Sequence, residues 1–283
     1  MTAATPDAVI EELVAALELR AEGDDRFAVT APGWWGERVF GGMVVAYALR
    51  AAAATVAEPY RPHSLHGYFL RPLAPGIEAE LVVERVRDSR SFAARTVTTT
   101  QEGRVATRMT CSFCVEEEGA DEYQLTLPAG LPAPDSLETH RPPGPFESAD
   151  AGPTLAPDGT YLSSGRFWSR TVAPLPDDPT LHACVLALLS DMTRTSFRPG
   201  SMDRWGSHTD ASIDHALWFH RPARADRWLF YDLQAVVNRA NRATVRGTMF
   251  REDGALVLSM AQELVIRPVP GGGVPAGPLA QRF

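Results

Sequence analysis

Hydrophobic residues recur along this chain in two rhythms, one helical and one alternating, and the order of the rhythms repeats. The first helical stretch opens at Thr5-Pro6-Asp7, an N-cap oxygen followed by proline at the first helical position. Val9, Ile10, Leu13, Val14 and Leu17 then share one face, and Gly23 is the predicted stop. Residues 41–54, opening Gly41-Gly42-Met43, are apolar on nearly every face with Arg50 the one charge, which predicts a central buried helix. Strand-like runs follow from Ser64 to Leu70, Ile77 to Arg87, Ser91 to Gln101 and Arg104 to Val115, with Glu102-Gly103 as a hairpin turn. From Gly119 to Ser164 the periodicity stops. Pro128, Pro132, Pro134, Pro142, Pro143, Pro145, Pro153 and Pro157 crowd there, which predicts a linker or long surface excursion. The first pattern then returns. Leu181–Asp191 reads as a second apolar helix, followed by runs from Ser212 to His220, Trp228 to Val237, Ala243 to Arg251 and Ala255 to Ile266. A Gly/Pro-rich tail starts at Pro268.

The two halves also superpose as text. His66-Gly67-Tyr68-Phe69-Leu70-Arg71-Pro72 lies over Ala216-Leu217-Trp218-Phe219-His220-Arg221-Pro222, and Gln101-Glu102-Gly103 lies over Glu252-Asp253-Gly254 at nearly the same offset. Matches in register, with one helix-then-meander order, point to duplication. A long apolar helix beside antiparallel strands buries itself against their sheet. The expected class is therefore α+β, a sheet wrapped around a buried helix: the hotdog fold, present twice as a double hotdog. The expected division is 1–118 for one repeat, 119–164 for a Pro-rich linker and 165–283 for the other.

Composition narrows the function. The 283 residues suit two domains, and 45% apolar with 22% charged residues excludes a disordered chain. A net charge of −8 disfavours nucleic acid and anionic membrane surfaces as partners. The chain contains no lysine, which excludes Walker-type phosphate loops and Schiff-base chemistry. Cys111, Cys114 and Cys184 are too few for a disulfide framework and fit a reducing compartment. No signal peptide and no long uncharged apolar run is visible, so a cytoplasmic location with no membrane partner is expected. G-x-S-x-G, H-E-x-x-H and G-x-G-x-x-G are all absent. Cys111-Ser112-Phe113-Cys114 has C-x-x-C spacing without a second pair, so no metal and no cofactor is expected.

Three segments of the first half resemble the bacterial acyl-CoA thioesterase II family: Val39-Phe40-Gly41-Gly42, the run His63–Pro72, and Arg87-Asp88-Ser89-Arg90-Ser91-Phe92. In the second half, Asp177-Asp178-Pro179, Leu189-Ser190-Asp191, the run Ser212–Pro222 and Ala261-Gln262-Glu263 resemble it in order. The resemblance implies a double hotdog that hydrolyses fatty or related acyl-CoA without a covalent intermediate. It implies a catalytic Asp, Thr and Gln holding one water, falling here on Asp191, Ser212 and Gln262 in the second repeat. Ser212 stands where the family has threonine, keeping the hydroxyl and losing a methyl. Met43 stands where the family usually has glutamine. Acyl-CoA is the expected partner, with a homodimer or homotetramer as the assembly.

These residue types suit the chemistry. Thioester hydrolysis needs an oriented water, a group to take its proton, and donors for the oxyanion. A carboxylate polarises water, an amide positions it, and a hydroxyl bridges the two. Backbone N–H groups at the helix start near Gly41, Gly42 and Met43 are the expected oxyanion donors. Gly41, Gly42, Met43 and His63 are the expected substrate contacts. Two other readings stand beside this one. Asp177 and His182 have the separation of a hotdog enoyl-CoA hydratase pair, though its Asn and preceding Gly are missing. The third is a non-catalytic acyl-CoA binder.

Overall fold

The protein's structure, a computed structural model, describes residues 4–119, 122–142, 144–155, 161–192 and 208–268. Helix α1 (Pro6–Ala16) starts as its sequence dictates, with the Thr5 hydroxyl accepting from the Ala8 N–H at 3.3 Å. It ends at Ala16, about two turns before Gly23. Residues after Leu17 form a hairpin instead, β1 (Arg20–Gly23) and β2 (Arg26–Thr30). The left-handed residues Gly23 and Asp25 (φ 131° and 59°) make its turn, so the glycine stops a strand and not the helix. Helix α2 (Gly41–Ala53) and strands β3 (Arg61–Phe69), β4 (Glu78–Asp88), β5 (Phe92–Gln101) and β6 (Arg104–Cys114) follow the predicted pattern. Glu102 and Gly103 at φ 49° and 73° close the β5–β6 hairpin.

The Pro-rich stretch departs from expectation. After the short β7 (Thr139–His140), strands β8 (Phe146–Leu155) and β9 (Tyr161–Thr171) form within or across its end. Their apolar alternation is broken because inward position 147 is a glutamate. Its side chain is only 2% exposed and is held by Arg141 and Arg170. Helix α3 (Pro179–Ser190) is capped by Asp178, whose carboxylate accepts from the Thr180 and Leu181 N–H groups. The predicted 212–220 strand is split into β10 (His208–Ser212) and β11 (Asp214–Phe219). Strands β12 (Leu229–Arg239), β13 (Arg242–Arg251) and β14 (Leu256–Pro268) complete the chain. The predicted tail beyond Pro268 lies outside the described residues.

All described strands join one 14-stranded sheet in the order β1-β2-β4-β5-β6-β3-β11-β14-β13-β12-β9-β8-β7, with β10 on β14. Read outward from the β3–β11 junction, the two halves have the same order, helix included. His66 lies directly opposite Ala216, the residue over which it falls when the two halves of the sequence are superposed. Helices α2 and α3 run antiparallel against each other. Arg50 near the end of α2 pairs with Asp178 at the start of α3 (3.0 Å), while Gly41 at the start of α2 meets Asp191 at the end of α3. A Cβ on Gly42 would lie 2.3 Å from the Leu188 carbonyl oxygen, so glycine is what lets the helices approach this closely. Their buried residues and the inward strand residues form one hydrophobic core spanning both halves.

Candidate active site

Asp191 is the C-cap of α3 and is 6% exposed. It therefore sits at the negative end of one helix dipole and beside the positive end of another, that of α2. Ser212 ends β10, where the chain jogs between two strands that both pair with β14. The Ile213 N–H donates to the Glu263 carbonyl (2.8 Å) and the Asp214 carboxylate accepts from the Glu263 N–H (2.7 Å). Gln262, 1% exposed, projects from β14 into the same space.

The three side chains converge. The Gln262 amide Nε2 donates to Asp191 Oδ1 at 2.5 Å and to Ser212 Oγ at 2.7 Å, and Ser212 Oγ lies 3.5 Å from Asp191 Oδ1. Because one NH2 group spans the carboxylate and the hydroxyl, the amide orientation is determined and Ser212 accepts at its oxygen. Its O–H proton is left for Asp191 or for a bound molecule. Asp191 Oδ2 points at Gly41, where a Cβ would sit 2.5 Å from it. Phe40 gives α2 no side-chain cap, so the first-turn N–H groups beside Asp191 have no partner from a capping side chain. One residue earlier, Ser190 Oγ donates to the Ala187 carbonyl (2.6 Å) and lies 2.8 Å from Nε2 of the fully buried His215. The hydroxyl proton is thus committed, which assigns the Nε2–H tautomer to His215. Burial pushes its pKa down to about 3, so the ring is neutral.

The first half holds nothing comparable at the matching place. Ala54 is the C-cap of α2 where Asp191 caps α3. In the sheet register Cys111 faces Arg95 as Gln262 faces Val245. The Arg95 guanidinium, buried to 1%, fills that space and donates to the Thr55 hydroxyl (2.8 Å), the Thr55, Arg87 and Ala94 carbonyls, and Asp88 (2.6 Å).

Two regions of this chain match the acyl-CoA thioesterase pattern: residues 31–114 match its N-terminal domain and residues 114–266 its C-terminal domain. Human acyl-coenzyme A thioesterase 8 is 31% identical over 264 residues, covering 83% of this chain and 82% of that protein. Acyl-CoA thioesterase 2 of Haemophilus influenzae is 30% identical, covering 92% and 98%. Among solved structures, the tesB protein of Mycobacterium avium subs paratuberculosis is 32% identical with a TM-score of 0.79, covering 92% of this chain and 100% of that one. A hot dog fold protein from Alicyclobacillus acidocaldarius, 21% identical with a TM-score of 0.73, covers 90% of this chain and 97% of that one and shares the fold alone. The chain belongs to the acyl-CoA thioesterase II family.

In this thioesterase, the N-terminal match contributes Gly41 to the cluster and the C-terminal match contributes Asp191, Ser212 and Gln262. The other expected substrate contacts are placed differently. Gly42 and Met43 are buried, with Met43 in the core. His63 bonds the Ser112 hydroxyl (2.8 Å) and packs edge-on against Phe92, both in the first half. The hydratase pair is not assembled. Asp177 is exposed and paired with Arg224, whereas His182 is buried and accepts from the Ala225 N–H. Burial holds the Cys111 and Cys184 thiols protonated, Cys184 at a pKa of about 12. Among the described residues no His, Cys, Asp and Glu side chains gather as a metal site, and no helix is long and apolar enough to cross a membrane. A narrow apolar cleft bounded by Trp35, Phe40, Phe146 and Met192 opens beside the cluster. Its lining carries no motif and was not legible from spacing. The one available signal is adjacency in sequence: Phe40 precedes Gly41 and Met192 follows Asp191.

Proposed function

We propose that the protein hydrolyses acyl-CoA thioesters to the free acid and CoA by direct attack of water, using Asp191, Ser212 and Gln262. The observation that carries this reading is the Gln262 amide bridging a buried carboxylate and a hydroxyl beside an uncapped helix start. The water sits against Asp191 and is oriented by Ser212 and Gln262. The thioester carbonyl oxygen faces the Gly41 and Gly42 N–H groups at the start of α2, whose dipole favours the charge that develops there; the Met43 N–H is held by the Phe40 carbonyl (3.0 Å). As water oxygen bonds to the carbonyl carbon, its proton passes to Asp191. The C–S bond then breaks, and Asp191 returns the proton to the departing thiolate. Gln262 does not titrate, so its part is positional. The mirrored strand order of the two halves supports a double hotdog in which the second repeat carries the chemistry and the first lends a helix end. The 119–164 segment then joins the two repeats and contributes strands to the second.

A thiol-release assay across acyl-CoA chain lengths, run beside Asp191→Asn, tests this. The variant keeps the shape and the acceptor toward Gln262 but cannot take a proton. Turnover falls by at least about 100-fold, the scale of a lost general base, with thermal unfolding little changed. Near-normal turnover in the variant rejects the role of Asp191.

A further inference from the structure

We infer that an arginine-lined cleft next to the candidate site binds a phosphate ester on the thiol carrier of the substrate, with Arg227 and Arg224 as its donors. This inference rests on the thioester reading above.

The cleft, about 310 Å3, is lined by Arg141, Arg170, Arg224 and Arg227 against two acids, Glu147 and Asp226. In a chain of net charge −8 this is a local cationic surplus, and its volume is at the low end for ligand pockets. Glu147 lines both this cleft and the apolar one bounded by Phe40 and Met192, so the two share a wall. Going from Met192, the residue after Asp191, the apolar lining comes first and the arginines stand on the other side of Glu147. A thioester whose carrier is an apolar arm ending in phosphate has that order of chemistry.

The arginines divide into two pairs. Arg141 and Arg170 are fixed, because both donate to the buried Glu147 carboxylate and Arg170 also lies 4.1 Å over the Trp228 ring. Arg224 bonds Asp226 through Nε (3.0 Å) and Nη2 (2.8 Å), the Leu175 carbonyl through Nη2 (3.4 Å) and the exposed Asp177 through Nη1 (2.8 Å), which leaves it the second Nη1 hydrogen. Arg227 is exposed, with no ion pair among the described residues. A guanidinium carries five donors in a fork, so a carboxylate-bound arginine still offers N–H groups to a second oxyanion. With no lysine in the chain, arginine is the side chain that recognises phosphate here.

Two carriers present this chemistry: the nucleotide phosphates of CoA, and the single phosphate of a phosphopantetheine arm. Calorimetric titration of the full-length protein with CoA, phosphopantetheine and pantetheine distinguishes them. CoA is expected to bind at least about tenfold more tightly than pantetheine, and Arg227→Gln or Arg224→Gln to remove about that factor. Pantetheine affinity is expected to stay within about twofold in both variants. Arg104→Gln, at the exposed β5–β6 turn, changes none of these values. If phosphopantetheine tracks CoA, the phosphate common to both carriers occupies the cleft; if it tracks pantetheine, the nucleotide phosphates do. Equal losses for CoA and pantetheine, or no loss for CoA in either variant, overturn the inference. Hydrolysis is scored separately, by thiol release from acyl-CoA with the unmodified protein. Its absence rejects the thioesterase chemistry while the titrations still decide the cleft.

Discussion

Single side chains at the candidate site separate into those that touch the reaction space and those that keep it open. Ser212→Ala removes the hydroxyl to which Gln262 donates, and turnover is expected to fall at least about tenfold. Ser212→Thr restores the hydroxyl on a stiffer rotamer and is expected to stay within about threefold of the parent, measured as kcat on one acyl-CoA. The adjacent glycines give opposite signatures. Gly41→Ala places a methyl on Asp191 Oδ2, a movable side-chain atom, so activity drops while the melting temperature holds. Gly42→Ala drives the same methyl into the Leu188 carbonyl, which is backbone, and is expected to cost about 1–3 kcal/mol by urea unfolding. The three polar residues of the cluster were legible in sequence only through resemblance to a family. Nothing in the spacing of positions 191, 212 and 262 forces their meeting. That meeting depends on a jog at Ile213 and on strand pairing distant in sequence. The Met43 side chain lies in the core and His63 bonds Ser112, because a motif marks where residues lie along the chain, not which side of a sheet or helix they face.

Secondary-structure elements were most legible where burial was uniform. Helix α2 and the buried face of β4 carry unbroken apolar patterns, whereas β8 hid behind a buried glutamate whose two arginine partners lie six and twenty-three residues away. The β1–β2 hairpin was missed because Gly23 serves equally as a helix stop or a strand turn. At this scale the Ser190–His215 bond ties the last turn of α3 to β11 and so fixes the peptide that presents Asp191. His215 is neutral when folded, with its pKa pushed down to about 3 by burial, but titrates near 6.5 when unfolded. The unfolded chain therefore binds the extra proton between those values, and stability falls as pH drops below about 6.5. The slope is at most about 1.4 kcal/mol per pH unit and ends near pH 3. Burial lowers the His182 pKa as well, which adds to the slope in the same direction. Urea unfolding of His215→Asn at pH 7 and pH 5 is expected to show a shallower pH dependence than the parent; an unchanged slope contradicts the assignment.

On the scale of the whole molecule, the two halves of the chain are unequal partners in one body. The second brings the carboxylate, the hydroxyl and the amide, and the first brings the helix start at Gly41. The corresponding place in the first half is occupied by Arg95, which is buried and bonds Thr55 just past the end of α2. The halves also share the main hydrophobic core and the β3–β11 pairing. Residues 1–118 and 119–283 expressed separately are therefore expected to be insoluble or partly unfolded and inactive. Co-expression should restore thiol release, and a folded, active fragment on its own contradicts this account. The fourteen-strand order has one more consequence. The β3–β11 pairing turns what would be two hydrogen-bonding margins into an interior seam. The sheet's outer limits are left as β1, four residues with every side chain exposed, and β7, two residues long. Such short borders offer little template for a stray strand to dock, so a sheet of this breadth is protected from growing by accretion into fibrils.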